Sequence, residues 1–169
     1  MSKVSRKRGQ QVDNPMHTIT IDLTTPVSPE RVLARIVDFS AKRPEVFKAV
    51  QAKRLIVHDV GETTADVTEG TRSGPILNWE RCDYDWSRPG VVLAKVKDSN
   101  IYALTGSYWE LSATPAGQGS DVRMVWAREF RRSPKGRLFN FVFKRFGQGL
   151  FTKYAGEILS NIERLEAAV

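Results

Sequence analysis

One cysteine, Cys82, is all the thiol chemistry this sequence holds. A lone cysteine excludes an internal disulfide and any cysteine-based zinc site, leaving Cys82 as a small filler for a core. Histidine is almost as scarce. His17 and His58 stand far apart with no ligand-spaced partner, so no metal site is expected. His58 precedes Asp59, but neighbours on a strand point to opposite faces, so adjacency makes no His–Asp dyad and His58 reads as a surface residue. Long apolar runs are missing too, and no segment approaches the roughly 20 residues that a membrane-spanning helix needs. The opening MSKVSRKRGQQVDNP carries positive charge with no apolar stretch behind it and is not a secretory signal, so a cytoplasmic address is expected. Neither a glycine-rich phosphate loop nor a nucleophile elbow occurs, and no cofactor is expected.

What is present is an ordinary globular mixture, 41% hydrophobic and 27% charged over 169 residues. That is enough chain for one domain with a real core, since a domain of this size buries about 70% of the surface its unfolded chain exposes. The unusual bulk property is a net charge of +7. It favours anionic partners without bearing on fold.

Residues 1–15 carry Lys3, Arg6, Lys7 and Arg8 against one acid, Asp13, with no apolar period. They read as a disordered basic tail ahead of a domain spanning 16–169. Met16 opens the patterned region and offers a translation start alternative to Met1. Ile19, Ile21 and Leu23 alternate with polar residues as in a strand with one buried face, and Pro26 ends it. Ser28-Pro29-Glu30 is a helix start, in which the serine hydroxyl would cap free backbone N–H groups and Pro29 sits where its missing donor does no harm. Val32, Leu33, Ile36 and Val37 line one face of that helix, which should end near Asp38. Pro44 to Phe47 predicts a second short helical turn. From Lys53 to Arg132, turn chemistry at Gly61, Gly74-Pro75, Pro89-Gly90, Ser99-Asn100 and Gly117 divides six further strands, and their short connections imply antiparallel hairpins. After Ser133-Pro134 the period becomes helical to the end. Phe139, Phe143, Phe146, Leu150, Tyr154, Ile158, Ile162 and Leu165 form an apolar stripe, with a bend or thinning expected at Gly147 and Gly149.

The order of strand, two short helices, six strands and long helix resembles the START-like (SRPBCC) superfamily, in particular its polyketide cyclase/dehydrase and lipid transport group. Val27-Ser28-Pro29-Glu30-Arg31-Val32 resembles that group's opening of the first helix, followed by Asp38-Phe39 and the Pro44 turn. Gly70-Thr71-Arg72 resembles its third-strand exit. Leu104-Thr105-Gly106-Ser107-Tyr108-Trp109-Glu110-Leu111, with Pro115, Gly117 and Gly119, resembles its sixth strand and following hairpin. The resemblance implies an α+β helix-grip fold, a seven-stranded antiparallel sheet wrapped on the long C-terminal helix, with an apolar cavity between them. The superfamily includes lipid carriers, hormone receptors and aromatase/cyclases, so fold alone selects no activity.

Strand alternation nominates the cavity residues. Between Ile76 and Trp86, one face holds Arg81, Asp83 and Asp85, which assigns it to solvent and turns Glu80, Cys82 and Tyr84 inward. The same logic turns Trp109, Leu111, Val122, Met124, Trp126 and Arg128 inward, and a bulge would invert any of these assignments. Phe143 would meet them from the helix. A charge in an apolar cavity is costly unless partnered, so Glu80 and Arg128 are expected to pair, as a buried salt bridge or as acid–base machinery in which Glu80 and Tyr84 would also act. The aromatic groups would stack on a flat ligand or simply fill the core.

The stretch from Arg128 to Arg145 holds seven basic residues and one acid, interleaved with Leu138, Phe139, Phe141, Val142 and Phe143. The favoured reading is an amphipathic helix whose basic side faces water while its apolar positions cover the sheet. A weak association with an anionic membrane surface or an acidic partner is the alternative, and nucleic acid is not expected. The leading functional expectation is binding or transport of a small hydrophobic molecule such as a lipid, polyketide or aromatic metabolite. A cofactor-independent cyclase, aromatase or dehydratase is the second, and an interaction module using the basic surface the third.

Overall fold

A computed structural model describes residues 15–73, 75–104 and 106–168. The expected basic tail lies outside them apart from Pro15. The chain runs β1 (His17–Thr25), α1 (Pro29–Ile36), α2 (Arg43–Val46), β2 (Val50–Val60), β3 (Thr64–Ser73), β4 (Ile76–Asp85), β5 (Val91–Ser99), β6 (Tyr108–Ala116), β7 (Gly119–Arg128) and α3 (Pro134–Ala167). The seven strands form one antiparallel sheet in the order β1-β7-β6-β5-β4-β3-β2, wrapped around α3. Strands β2 to β7 are a succession of hairpins, as their short turns dictate. β1 instead pairs with β7, Ile19 opposite Trp126 and Ile21 opposite Met124. The first two strands therefore occupy opposite edges of the sheet, with α1 and α2 in the connection between them.

Alternation along β4 survives intact. Its register with β5 passes from Arg81 opposite Asp98 to Cys82 opposite Val96, so the extra residue, Lys97, belongs to β5 and no inward residue of β4 changes face. On β5, Val92, Ala94 and Val96 are buried, and beyond the bulge the buried position becomes Ser99.

Ser28 occupies the N-cap of α1, but its side chain makes no capping bond, contrary to expectation; its carbonyl accepts from the Val32 N–H at 3.0 Å. Ser133 does cap, its Oγ accepting from the Gly136 N–H at 3.1 Å. α3 runs 34 residues through Gly147 and Gly149 without a break in its helical bonding. A Cβ on Gly147 would lie 2.5 Å from Ile19 Cδ1, so this glycine is where β1 comes against the helix, whereas nothing lies within 4 Å at Gly149.

The buried side of α3 is set by Phe143, Gly147, Ala155, Ile158 and Ile162, with Phe151 and Tyr154 partly buried beside them. Phe146 and Leu150, expected in the core stripe, are more than half exposed, as are Leu138 and Phe141. The cause is geometric. Phe151 and Gly147, one position on from Leu150 and Phe146, point more directly at the sheet, and a sequence apolar at both neighbouring positions cannot tell which will face in.

Candidate functional site

A cavity of about 450 Å³ lies between the inner face of the sheet and α3. Its wall is mostly aromatic and aliphatic, because the inward positions of β6 and β7 and the facing turns of α3 are so. Of the residues nominated from sequence, Glu80, Trp109, Leu111, Met124, Trp126, Arg128 and Phe143 lie on this wall. Cys82 and Tyr84 are buried but do not reach it. Tyr84 sits edge-on to Trp109 with ring centroids 5.9 Å apart and commits its hydroxyl elsewhere.

That commitment belongs to a buried ion pair absent from the sequence-based candidates. Arg43, at the start of α2, donates from Nε to Glu69 Oε1 at 2.6 Å, from Nη1 to the carbonyl of Ile36 at the end of α1, and from Nη2 to the Tyr84 hydroxyl at 3.2 Å. Tyr84 in turn donates to Glu69 Oε2 at 2.6 Å. The guanidinium also stacks 4.0 Å from the Phe47 ring centroid. Both carboxylate oxygens and all three guanidinium nitrogens are thus engaged, and the cluster ties α1, α2, β3 and β4 together. Alternation with Ala65 and Val67 could have flagged Glu69 as inward. Arg43 stands in no periodic segment and carries no such signal.

Glu69 and Glu80 face each other directly across β3 and β4, so two carboxylates share one inner surface. Each draws a different arginine. Arg128, at the end of β7, brings Nη2 to 3.4 Å from Glu80 Oε2, with the side chains 4% and 18% exposed. This contact is electrostatic without hydrogen-bond geometry: Glu80 Oε2 and Arg128 Nε and Nη1 have no hydrogen-bond partner among the described residues. The Tyr102 ring covers the Arg128 guanidinium, 4.4 Å from its centroid. Burial pushes the Glu80 carboxyl above its ordinary pKa, the charge of Arg128 opposes this, and that of Glu69 adds to it. Burial works most strongly against the Arg128 charge, but Glu80, Tyr102, Cys82 and Tyr84 together more than offset it, and the guanidinium pKa is raised. The cavity wall, largely apolar, therefore carries unused hydrogen-bonding capacity at Glu80 and Arg128, and also at Asn78, whose Oδ1 has no hydrogen-bond partner among the described residues.

His58 is exposed and bonds to Thr68 Oγ1 at 2.8 Å. Among the described residues no group of three or more His, Cys, Asp and Glu side chains is arranged to hold a metal ion, and no helix is long and apolar enough to cross a membrane.

No protein-family model and no curated protein sequence matches this chain. Solved structures do. The chain is similar to the protein TTHA0849 from Thermus thermophilus, at a TM-score of 0.71 and 16% identity over 90% of this chain and 100% of that one. It is also similar to the ZhuI aromatase/cyclase from Streptomyces sp. R1128, at a TM-score of 0.70 and 11% identity over 89% and 95%. A START superfamily protein from Mycobacterium smegmatis matches at a TM-score of 0.67 and 11% identity over 90% and 99%. At these identities the likeness is one of fold. The chain shares the helix-grip fold of these structures.

Proposed function

We propose that this protein binds a small, largely apolar molecule in the cavity, with one oxygen acceptor of that molecule directed at Arg128. The observation that carries the reading is the pair of unpartnered Arg128 donors on an aromatic wall. A buried donor without a partner is costly, and a ligand carbonyl or phenolic oxygen would relieve that cost on binding. The cavity volume of about 450 Å³ suits such a ligand, since small-molecule sites run from roughly 300 to 1,000 Å³ and combine apolar walls with few polar groups.

The reading is tested with two environment-sensitive fluorophores of the same ring system, one bearing a ketone and one without it. The native protein should bind the ketone with a stoichiometry near one and at least about tenfold more tightly than its counterpart, as befits a charged donor. Arg128→Met should erase the difference while leaving the near-UV circular dichroism of the fold. Equal affinities in the unaltered protein would refute the role given to Arg128, and binding only on partial unfolding would refute the cavity as the site.

A second reading, an enzyme of cyclase, aromatase or dehydratase type, draws on the raised pKa of Glu80 beside Arg128. A carboxylic acid that keeps its proton can deliver it to an oxygen held by the arginine, the arrangement general acid catalysis needs. One of the similar structures is named an aromatase/cyclase. Native mass spectrometry of protein purified from its own cells should identify the co-purifying molecule, and Glu80→Gln should then retain it while losing any turnover. Turnover that persists in Glu80→Gln rules this reading out.

A further inference from the structure

The first half of α3 presents to solvent a surface that the cavity does not account for. Leu138, Phe141, Phe146 and Leu150 are each more than half exposed, with Phe141 at 62%. Phe141 and Phe146 form a ring pair with centroids 6.5 Å apart, and Arg145 lies 5.2 Å over the Phe146 ring. These are not scattered apolar side chains, which would need no explanation; they adjoin on one helical surface.

The charge around them has one sign. From Phe130 to Gly156 the chain carries Arg131, Arg132, Lys135, Arg137, Lys144, Arg145 and Lys153 and no acidic residue. Arg131 reaches Asp98 and Lys135 donates to the Leu77 carbonyl. Arg132, Arg137, Lys144, Arg145 and Lys153 are exposed and form no ion pair among the described residues. A second copy of the chain seated here would set these charges against their own kind. An anionic lipid surface satisfies both parts at once, taking the aromatic and aliphatic groups into the headgroup boundary while its charge meets the basic residues.

We infer that the first half of α3 is a docking surface for anionic membranes, with Phe141, Phe146 and Leu138 inserting and Arg137, Lys144 and Arg145 on the headgroups. Leu150 joins this surface to the interior, since it is more than half exposed and also lines the cavity. A docked protein would therefore hold its cavity next to the bilayer. The docking does not depend on what the cavity binds.

The test is flotation of the full chain with phosphatidylcholine vesicles, with and without phosphatidylserine. Binding is expected with phosphatidylserine, weakened by salt. Arg145→Glu should weaken it at least about fivefold, the equivalent of one basic group at an anionic surface, and Phe141→Ser should weaken it with net charge unchanged. Lys95→Glu, an exposed position on β5, makes the same change of net charge and should leave binding nearly intact. Thermal melts confirm that each variant is folded, as these exposed positions allow. The inference is overturned if the unaltered chain fails to float with anionic vesicles, if Phe141→Ser binds as before, or if Lys95→Glu loses as much as Arg145→Glu. A concentration-dependent dimer abolished by Phe141→Ser would overturn it too, by giving the surface to a second copy.

Discussion

Two buried arginine–glutamate pairs sit on one inner surface, and they differ in how completely they are satisfied. In the Arg43–Glu69 pair every polar atom has a partner, so removing one member strands the other as a buried group without its counter-charge. Glu69→Gln should therefore cost roughly 3 to 5 kcal/mol of unfolding free energy. Glu80 is different, because burial already biases its carboxyl toward the neutral form that glutamine imitates. Glu80→Gln should cost no more than about 1 kcal/mol by denaturant unfolding, and a loss equal to that of Glu69→Gln would make the second pair an equal structural staple.

The same bias has a pH signature. A carboxyl whose folded pKa is raised above its ordinary 4.5 keeps its proton in the fold after the unfolded chain has released it. Its contribution is full below 4.5 and is lost as pH rises through the folded value. The unaltered protein should accordingly lose stability relative to Glu80→Gln as pH climbs from 4.5 toward neutrality. Unfolding curves for the two proteins that stay parallel across that interval would show Glu80 titrating as an ordinary surface acid.

At the scale of the element, two of the four glycines of α3 have opposite meanings. Gly149 faces open space in mid-helix, where glycine has the poorest helix propensity after proline. Gly149→Ala should raise stability by up to about 1 kcal/mol. Gly147→Ala gains the same propensity but sets its methyl against Ile19 Cδ1, so most of that gain should vanish. Thermal denaturation of the two variants separates them, and equal stabilisation would mean that β1 does not press on the helix at that point. The exposed apolar side of α3 was legible as composition but not as orientation. Basic and aromatic residues alternate too closely there for period alone to say which would face the sheet.

For the whole molecule, a ligand that binds only the folded chain stabilises it by mass action, by about 2.7 kcal/mol at a hundred times its Kd. For a domain of this size that corresponds to a rise of roughly 5 to 10 °C in melting temperature. The ketone-bearing fluorophore should produce such a shift, and Arg128→Met should reduce it. A melting temperature indifferent to the ligand would place the fluorophore on a surface present in the unfolded chain as well.

What the sequence determined by itself was everything carried by period and punctuation. Alternation and turn residues predict seven strands, the change of period after Ser133-Pro134 predicts the long helix, and parity along β4, β6 and β7 turns Glu80, Trp109, Leu111, Met124, Trp126 and Arg128 inward. These are local properties, since each depends only on spacing within one segment. Tertiary structure alone decided which segments meet. It brought β1 to β7 across more than a hundred residues, set Glu69 opposite Glu80, and delivered Arg43 from an aperiodic corner to neutralise the first while Arg128 approached the second. It also left Tyr84 buried off the cavity wall, with its hydroxyl bonded to Glu69. Pairing across a sheet and packing of a helix against it are long-range choices, governed by the volume and charge each partner presents, and no window along the chain contains both partners.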